Sequence, residues 1–265
     1  MRAVCVHRVK TAVLARYFKY LGLILILSCS PKSSPSLIIA AASDLVDAFT
    51  DLGKKFEETY KAKVIFSFGS SGLLARQIEE GAPFDLFAAA NQGFIQKLEK
   101  KNLVLQGSET IYAQGRLALW QREDTLLPVK GLSDLANPSL KRIAIANPEH
   151  APYGTAAKEA LQQAGLWEPV KERIVFGENV IQTLQFAQTG NVDVPIVALS
   201  ISYRPGGRHV AIEPKWHQPI NQSLCILRST KNKALAAQFV AFLNGPSGRA
   251  VMKQYGFVFP ENSEE

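Results

Sequence analysis

Cysteine is scarce in this chain, with three among 265 residues. Cys5 lies in a basic opening segment, Cys29 follows an apolar run, and Cys225 stands alone in Leu224-Cys225-Ile226-Leu227. That distribution excludes a disulfide framework and a cysteine-built zinc site. Cys225 reads instead as a packed strand residue. Histidine is sparse too, and His7, His150, His209 and His217 show no metal-ligand spacing. No G-x-S-x-G, H-E-x-x-H or paired-cysteine motif is present, which removes the usual signatures of nucleophilic and zinc hydrolases. There is no internal repeat, and no biased segment beyond the Ser/Pro stretch at 30–36.

Acidic residues are missing from residues 1–28, which hold Arg2, Arg8, Lys10, Arg16 and Lys19. The formal charge of +7 is largely theirs. Without these five, 25 basic side chains face 23 acidic ones, a net charge of +2. So balanced a chain lacks the electrostatic footprint of a nucleic-acid binder. The same segment has the order of an export signal: basic residues to Lys19, an apolar run from Leu21 to Leu27, then Ser28-Cys29-Ser30. The run is short for a spanning helix, which needs about 20 apolar residues. A Cys in this place resembles a bacterial lipoprotein cleavage site, which makes Cys29 the candidate lipidation residue and 29–36 a tether. Ordinary cleavage, or an uncleaved anchor, is the other reading. The membrane is expected as a partner only through such an anchor, with the protein in the periplasm or on the outer face of the cell membrane.

From Leu37 onward, short apolar runs alternate with amphipathic segments. Leu37–Ala42 predicts a strand, and Leu45, Phe49, Leu52, Phe56 and Tyr60 recur at helical spacing after it. Lys63–Phe68 and Asp85–Ala90 read as strands, Leu73–Glu80 and Gly93–Lys101 as helices. A second set has strands at Ile143–Ala146, Arg173–Phe176 and Val192–Ala198. Its helices are expected at Thr155–Ala164 and Val180–Gln188. An extended stretch, Asn221–Leu227, precedes helices at Ala234–Leu243 and Gly248–Tyr255. This alternation predicts an α/β fold with mostly parallel sheets. Two such units suggest two lobes, 37–114 with 223–265, and 115–222, with long strands near Tyr112–Gln121 and Pro219–Arg228 as the expected crossovers. Ligands of open α/β sheets sit beyond the carboxyl ends of the strands, so a cleft between the lobes is the expected site.

Four strand-to-helix junctions face that cleft: Ala41-Ala42-Ser43-Asp44, Phe68-Gly69-Ser70-Ser71-Gly72, Pro152-Tyr153-Gly154-Thr155 and Gly177-Glu178-Asn179-Val180. Each helix start offers unpaired N–H groups and the positive end of the helix dipole. Ser, Thr and Asn there serve as caps, and a hydroxyl can also donate to a ligand. Any one junction is ordinary capping. Four on one cleft make an anion site that needs no cationic side chain.

Along these blocks the sequence resembles the periplasmic molybdate-binding proteins of ABC importers. The matching text is Ala40-Ala41-Ala42-Ser43, the long run Phe68 to Phe87 that includes Gly69-Ser70-Ser71-Gly72 and Gly81-Ala82-Pro83-Phe84-Asp85, then Ala146 to Gly154, and Gly177-Glu178-Asn179-Val180. It extends from about Leu37 to about Phe257. The resemblance implies a type II periplasmic binding fold, two lobes around a ligand cleft. It implies an oxyanion held by the hydroxyls and N–H groups of Ser43 and Ser71 and by N–H groups of Tyr153 and Val180. Any metal is then reached only through the anion's oxygens. The ligand is molybdate or tungstate, no cofactor is implied, and the partners are an ABC permease and its ATPase. A monomer is expected. Some members add a tyrosine after the last strand of the second lobe. Here that stretch is Pro195 to Ser200 without one, and Tyr153 matches members that carry the tyrosine in the Pro-Tyr-Gly loop instead.

Neutral donors suit such a task. Fixed N–H groups favour a fully deprotonated anion, because a ligand proton would face a donor with no acceptor. Cavity size then separates large metalates from sulfate. Capture of sulfate or another small oxyanion is the nearest alternative, and an extracellular hydrolase or lyase is the competing class. Arg76 reads as a surface residue of a helix, Asp85 as a structural hydrogen-bonding residue, and His150 as a loop residue at the rim. Asn91 follows the third strand, within reach of the cleft.

Overall fold

A computed structural model describes residues 34–259. Cys29 and the export segment lie outside the described residues.

The elements follow from their patterns. β1 (Ser36–Ala42) sends Leu37, Ile39 and Ala41 to one face and Ile38 and Ala40 to the other, as a strand with covered faces must. A 3₁₀ turn, Ser43–Leu45, leads into α1 (Val46–Tyr60), whose buried Phe49, Leu52 and Phe56 form one stripe. β2 (Lys63–Gly69), α2 (Ser71–Glu79), β3 (Leu86–Ala89) and α3 (Gln92–Lys100) continue the alternation. β4 (Thr110–Gly115) and β5 (Leu117–Arg122) follow. Next come β6 (Ile143–Ala146), α4 (Pro152–Gln163), α5 (Trp167–Val170), β7 (Ile174–Gly177) and α6 (Val180–Gln188). β8 (Val194–Ala198), α7 (Leu199–Ser202), β9 (Gly207–Ala211), β10 (Ile220–Ile226), α8 (Lys233–Asn244) and α9 (Pro246–Gln254) complete the chain. Among the described residues no helix is long and apolar enough to cross a membrane.

The strands form two five-stranded sheets, ordered β2-β1-β3-β10-β4 and β7-β6-β8-β5-β9. β1 runs parallel to β2 and β3, and β6 runs parallel to β7 and β8, while β10 and β5 are antiparallel to their neighbours. The fold is therefore α/β with two lobes. The carboxyl ends of the parallel strands point in each lobe to the junctions singled out above. The aromatic rings of Phe49, Phe56 and Phe239 pack α1 and α8 together, with centroids 5.2 Å apart for Phe56 and Phe239 and 6.1 Å for Phe49 and Phe239. Burying each such side chain is worth about 1.5–3 kcal/mol.

Three expectations shift. The apolar stretch Tyr112–Gln121 is two strands in different sheets, joined by Arg116 alone. The return crossing precedes 220, since Ile220, Asn221 and Gln222 already pair with Gly115, Gln114 and Ala113 of β4. An apolar run does not reveal which sheet takes its N–H groups. α4 starts at Pro152, before the expected Thr155, because proline suits the first helical position and the apolar periodicity begins only after it. Gly165, at φ +69°, follows its last turn in the left-handed conformation that glycine adopts without strain.

Candidate functional site

Ser43, Asp44, Ser70, Ser71, Tyr153 and Val180 come together around a cavity of about 190 Å3, its open mouth included. Two of the four junctions come from each lobe. Among the described residues no Lys, Arg or His lines the cavity.

Local capping decides which donors remain for a ligand. In α6 the Asn179 side chain accepts from the N–H groups of Ile181 (3.0 Å) and Gln182 (3.1 Å). Thr183 N–H bonds to the Asn179 carbonyl at 3.0 Å. Val180 N–H is left over. In α4 Pro152 has no N–H, and those of Gly154 and Thr155 reach the Ala151 carbonyl at 2.8 and 3.1 Å. Tyr153 N–H is left over. In α2 Gly72 N–H bonds to the His150 carbonyl at 2.9 Å and Leu74 N–H to the Ser70 carbonyl at 3.0 Å, leaving those of Ser71 and Leu73, of which Ser71 lines the cavity. The Ser71 hydroxyl accepts from Ala90 N–H at 3.0 Å, so its own proton is free to donate. The Ser43 hydroxyl takes no partner among the described residues. Every expected donor position, Ser43, Ser71, Tyr153 and Val180, thus lines one cavity with a donor to spare.

The wall behind these donors was not anticipated. Asp44 reads in the sequence as a helix-start residue, yet it is 1% exposed. Its carboxylate accepts from Gln222 Nε2 at 2.6 Å and from the Tyr153 hydroxyl. Gln222 Nε2 also lies 3.2 Å from the Tyr153 oxygen, and the Tyr112 hydroxyl donates to Gln222 Oε1 at 3.3 Å. Burial pushes the Asp44 carboxyl up to about 7 from its ordinary 3.8, and the hydrogen bonds from Tyr153 and Gln222 offset only part of that. Burial, with the Asp44 charge beside them, pushes the Tyr112 and Tyr153 phenols well above their ordinary range. Tyr153 therefore turns its hydroxyl to this polar cluster and leaves its main-chain N–H to the cavity. The phenol packs against the strand at Gly115, where a Cβ would stand 1.9 Å from the tyrosine oxygen. The sequence carried one signal of this cluster, a carboxylate placed directly after an apolar strand.

Other candidates fall outside the cavity. Arg76 is exposed on α2. Asp85 is buried at the opposite, amino end of β3, where it accepts from Ile38 N–H at 2.8 Å and from the Thr230 hydroxyl. Asn91 caps α3 through Gly93 N–H at 2.6 Å and lines the adjoining pocket. His150 also lines that pocket. Cys225 is buried in β10, where burial raises its thiol pKa.

Comparison with known proteins identifies the family and supports the fold. The family model described as bacterial extracellular solute-binding protein matches residues 37–258. The molybdate-binding protein ModA of Azotobacter vinelandii is 35% identical over 236 residues, covering 88% of this chain and 93% of that protein. A putative ABC transporter substrate-binding lipoprotein of Bacillus subtilis, YvgL, is 31% identical over 244 residues, covering 88% and 93%. The solved structure of the Azotobacter vinelandii periplasmic molybdate-binding protein superposes with a TM-score of 0.80 at 33% identity, covering 85% of this chain and all of that one. The chain belongs to the bacterial extracellular solute-binding protein family.

Proposed function

We propose that the protein captures molybdate or tungstate outside the cytoplasmic membrane and delivers it to the permease and ATPase of an ABC importer. The observation that carries this is the set of leftover donors. With the neighbouring first-turn bonds made, Ser71, Tyr153 and Val180 each retain an N–H, and all three line one cavity that has no cation among its described lining residues, with the Ser43 and Ser71 hydroxyls beside them. The names of the relatives support the choice of ligand. Oxygens of the anion take these donors, and the metal touches no protein atom. On this reading the protein binds and releases its cargo unchanged, as a monomer without a cofactor. A lipid on Cys29 would keep it at the outer membrane face, and lipid labelling of wild type against Cys29→Ser distinguishes that state from a free periplasmic one.

Thermal melting of the purified protein against molybdate, tungstate, sulfate and phosphate tests the reading. At a hundred times Kd, ligand linkage adds about 2.7 kcal/mol to stability. The metalates should raise the melting temperature, and sulfate and phosphate should not. A shift with sulfate alone would transfer the assignment to the sulfate alternative. One contact favours the hydrolase class: Ser70 Oγ and His150 Nδ1 are hydrogen-bonded at 2.9 Å. No carboxylate hydrogen-bonds to the other ring nitrogen among the described residues, so the orienting group of a triad is missing. Turnover of an ester panel, abolished in Ser70→Ala, would establish that class instead.

A further inference from the structure

His150 lies in the loop between β6 and α4, in the second lobe, where its N–H bonds to the Asn147 carbonyl at 3.3 Å, yet its carbonyl and its ring bond to the first lobe. Its carbonyl accepts from Gly72 N–H at 2.9 Å, and its ring Nδ1 is 2.9 Å from the Ser70 hydroxyl. The approach is close enough to demand glycine. A Cβ at position 72 would stand 2.8 Å from the His150 carbonyl oxygen, 2.8 Å from its Cβ and 3.0 Å from its Cα. Two of those atoms are main chain and cannot swing aside. Gly72 holds no left-handed φ, so α2 itself does not require a glycine there.

The location gives the contact its consequence. The anion cavity shares Ala90, Ala151 and Pro152 with a wider open pocket of about 600 Å3 that has His150 in its wall and residues of both lobes around it. Ser71 and Gly72 are consecutive in the first turn of α2. Ser71 N–H faces the cavity, and the next N–H crosses to the opposite lobe. The bond spans the two lobes, so any parting of them at this point breaks it.

We propose that Gly72, His150 and Ser70 form a clasp across the cleft that sets how long a captured oxyanion is retained. The proposal rests on the oxyanion-binding reading above. Ser70 and His150 are positioning residues here: they hold α2 against the second lobe without donating to the anion. Gly72→Ala acts from the other side, keeping the lobes apart by a methyl group while leaving the donors of the cavity in place.

The test is stopped-flow measurement of molybdate binding and release by the purified protein and by Gly72→Ala, His150→Ala and Ser70→Ala. Loss of one or two hydrogen bonds that exist only in the closed state is expected to speed release about tenfold. Association should stay within about twofold, since mutations in one interface act mainly on dissociation. The melting temperature of the ligand-free variants should stay at the wild-type value, which a purely structural role would not predict. Wild-type release rates in both Gly72→Ala and His150→Ala would overturn the clasp while leaving molybdate capture intact. Equal loss of association and release rates, or destabilised ligand-free variants, would also overturn it. If wild type binds none of molybdate, tungstate and sulfate, the functional reading fails and the clasp falls with it.

Discussion

Asp44→Asn is a substitution whose effect on stability should change with pH. Asp44 is 1% exposed, and burial raises its carboxyl from 3.8 to about 7. A shift of about 3 units at 1.36 kcal/mol per unit corresponds to about 4 kcal/mol. The sign follows from the raised folded value. Below about pH 4 the carboxyl is protonated in both folded and unfolded chains, and it carries no penalty. As pH rises from about 4 to about 7 the unfolded chain ionises first, and stability is lost until the folded carboxyl ionises as well. Asparagine is neutral throughout, and its carbonyl can still accept from Gln222 Nε2 and the Tyr153 hydroxyl. Ligand-free Asp44→Asn should match or fall slightly below wild type near pH 4. At pH 8 it should exceed wild type by as much as about 4 kcal/mol, an upper bound set by how fully the site excludes water. Urea denaturation of both proteins at the two pH values measures this directly. An equal stability difference at both pH values, or a less stable variant at pH 8, would refute the account of Asp44 as a carboxyl kept protonated by burial.

Ser43→Ala and Ser71→Ala should each weaken molybdate binding by about 1–3 kcal/mol by titration calorimetry, as expected for a hydroxyl donating to a charged ligand; unchanged affinity in both removes these hydroxyls from the site. Asn179→Ala removes the acceptor for Ile181 and Gln182 N–H and should cost about 1 kcal/mol of stability in denaturant unfolding. Gly115→Ala places a methyl where the Tyr153 hydroxyl stands and should lower the melting temperature, with the added Tyr153→Phe change recovering part of the loss. No recovery in that double variant would argue against the phenol as the clashing group.

Much of the fold was legible because its signals are local. Phe49, Leu52 and Phe56 repeat at helical spacing, and α6 ends where Thr189-Gly190 reads as a stop. Where local signals compete, the reading slipped. Pro152 begins α4 one turn before the apolar spacing does. The stretch Tyr112–Gln121 looks like one strand, since a single linking residue, Arg116, leaves no mark in composition. β9 has a weakly apolar sequence, Gly207-Arg208-His209-Val210-Ala211, which carries little strand signal. It is an edge strand, paired only with β5, so little of its surface needs to be apolar.

The sequence by itself determined where the donors stand. Ser43, Ser71, Tyr153 and Val180 are helix-start positions, and the capping partners Asn179, Ala151 and Ser70 are their chain neighbours, so short-range geometry selects which N–H groups remain, except at Gly72, whose N–H is taken by His150 of the other lobe. Only the tertiary structure decided what surrounds them. Asp44 and Gln222 are 178 positions apart, and Ser70 and His150 are 80 apart. The first joins two ends of the chain within one lobe, through the return of β10 to the sheet of β1, and the second joins the two lobes. Asp44 is a solvated cap in the local chain and becomes a buried, proton-holding carboxyl only when β10 and α4 enclose it. Gly72 is an ordinary turn residue until the second lobe brings the His150 backbone against it.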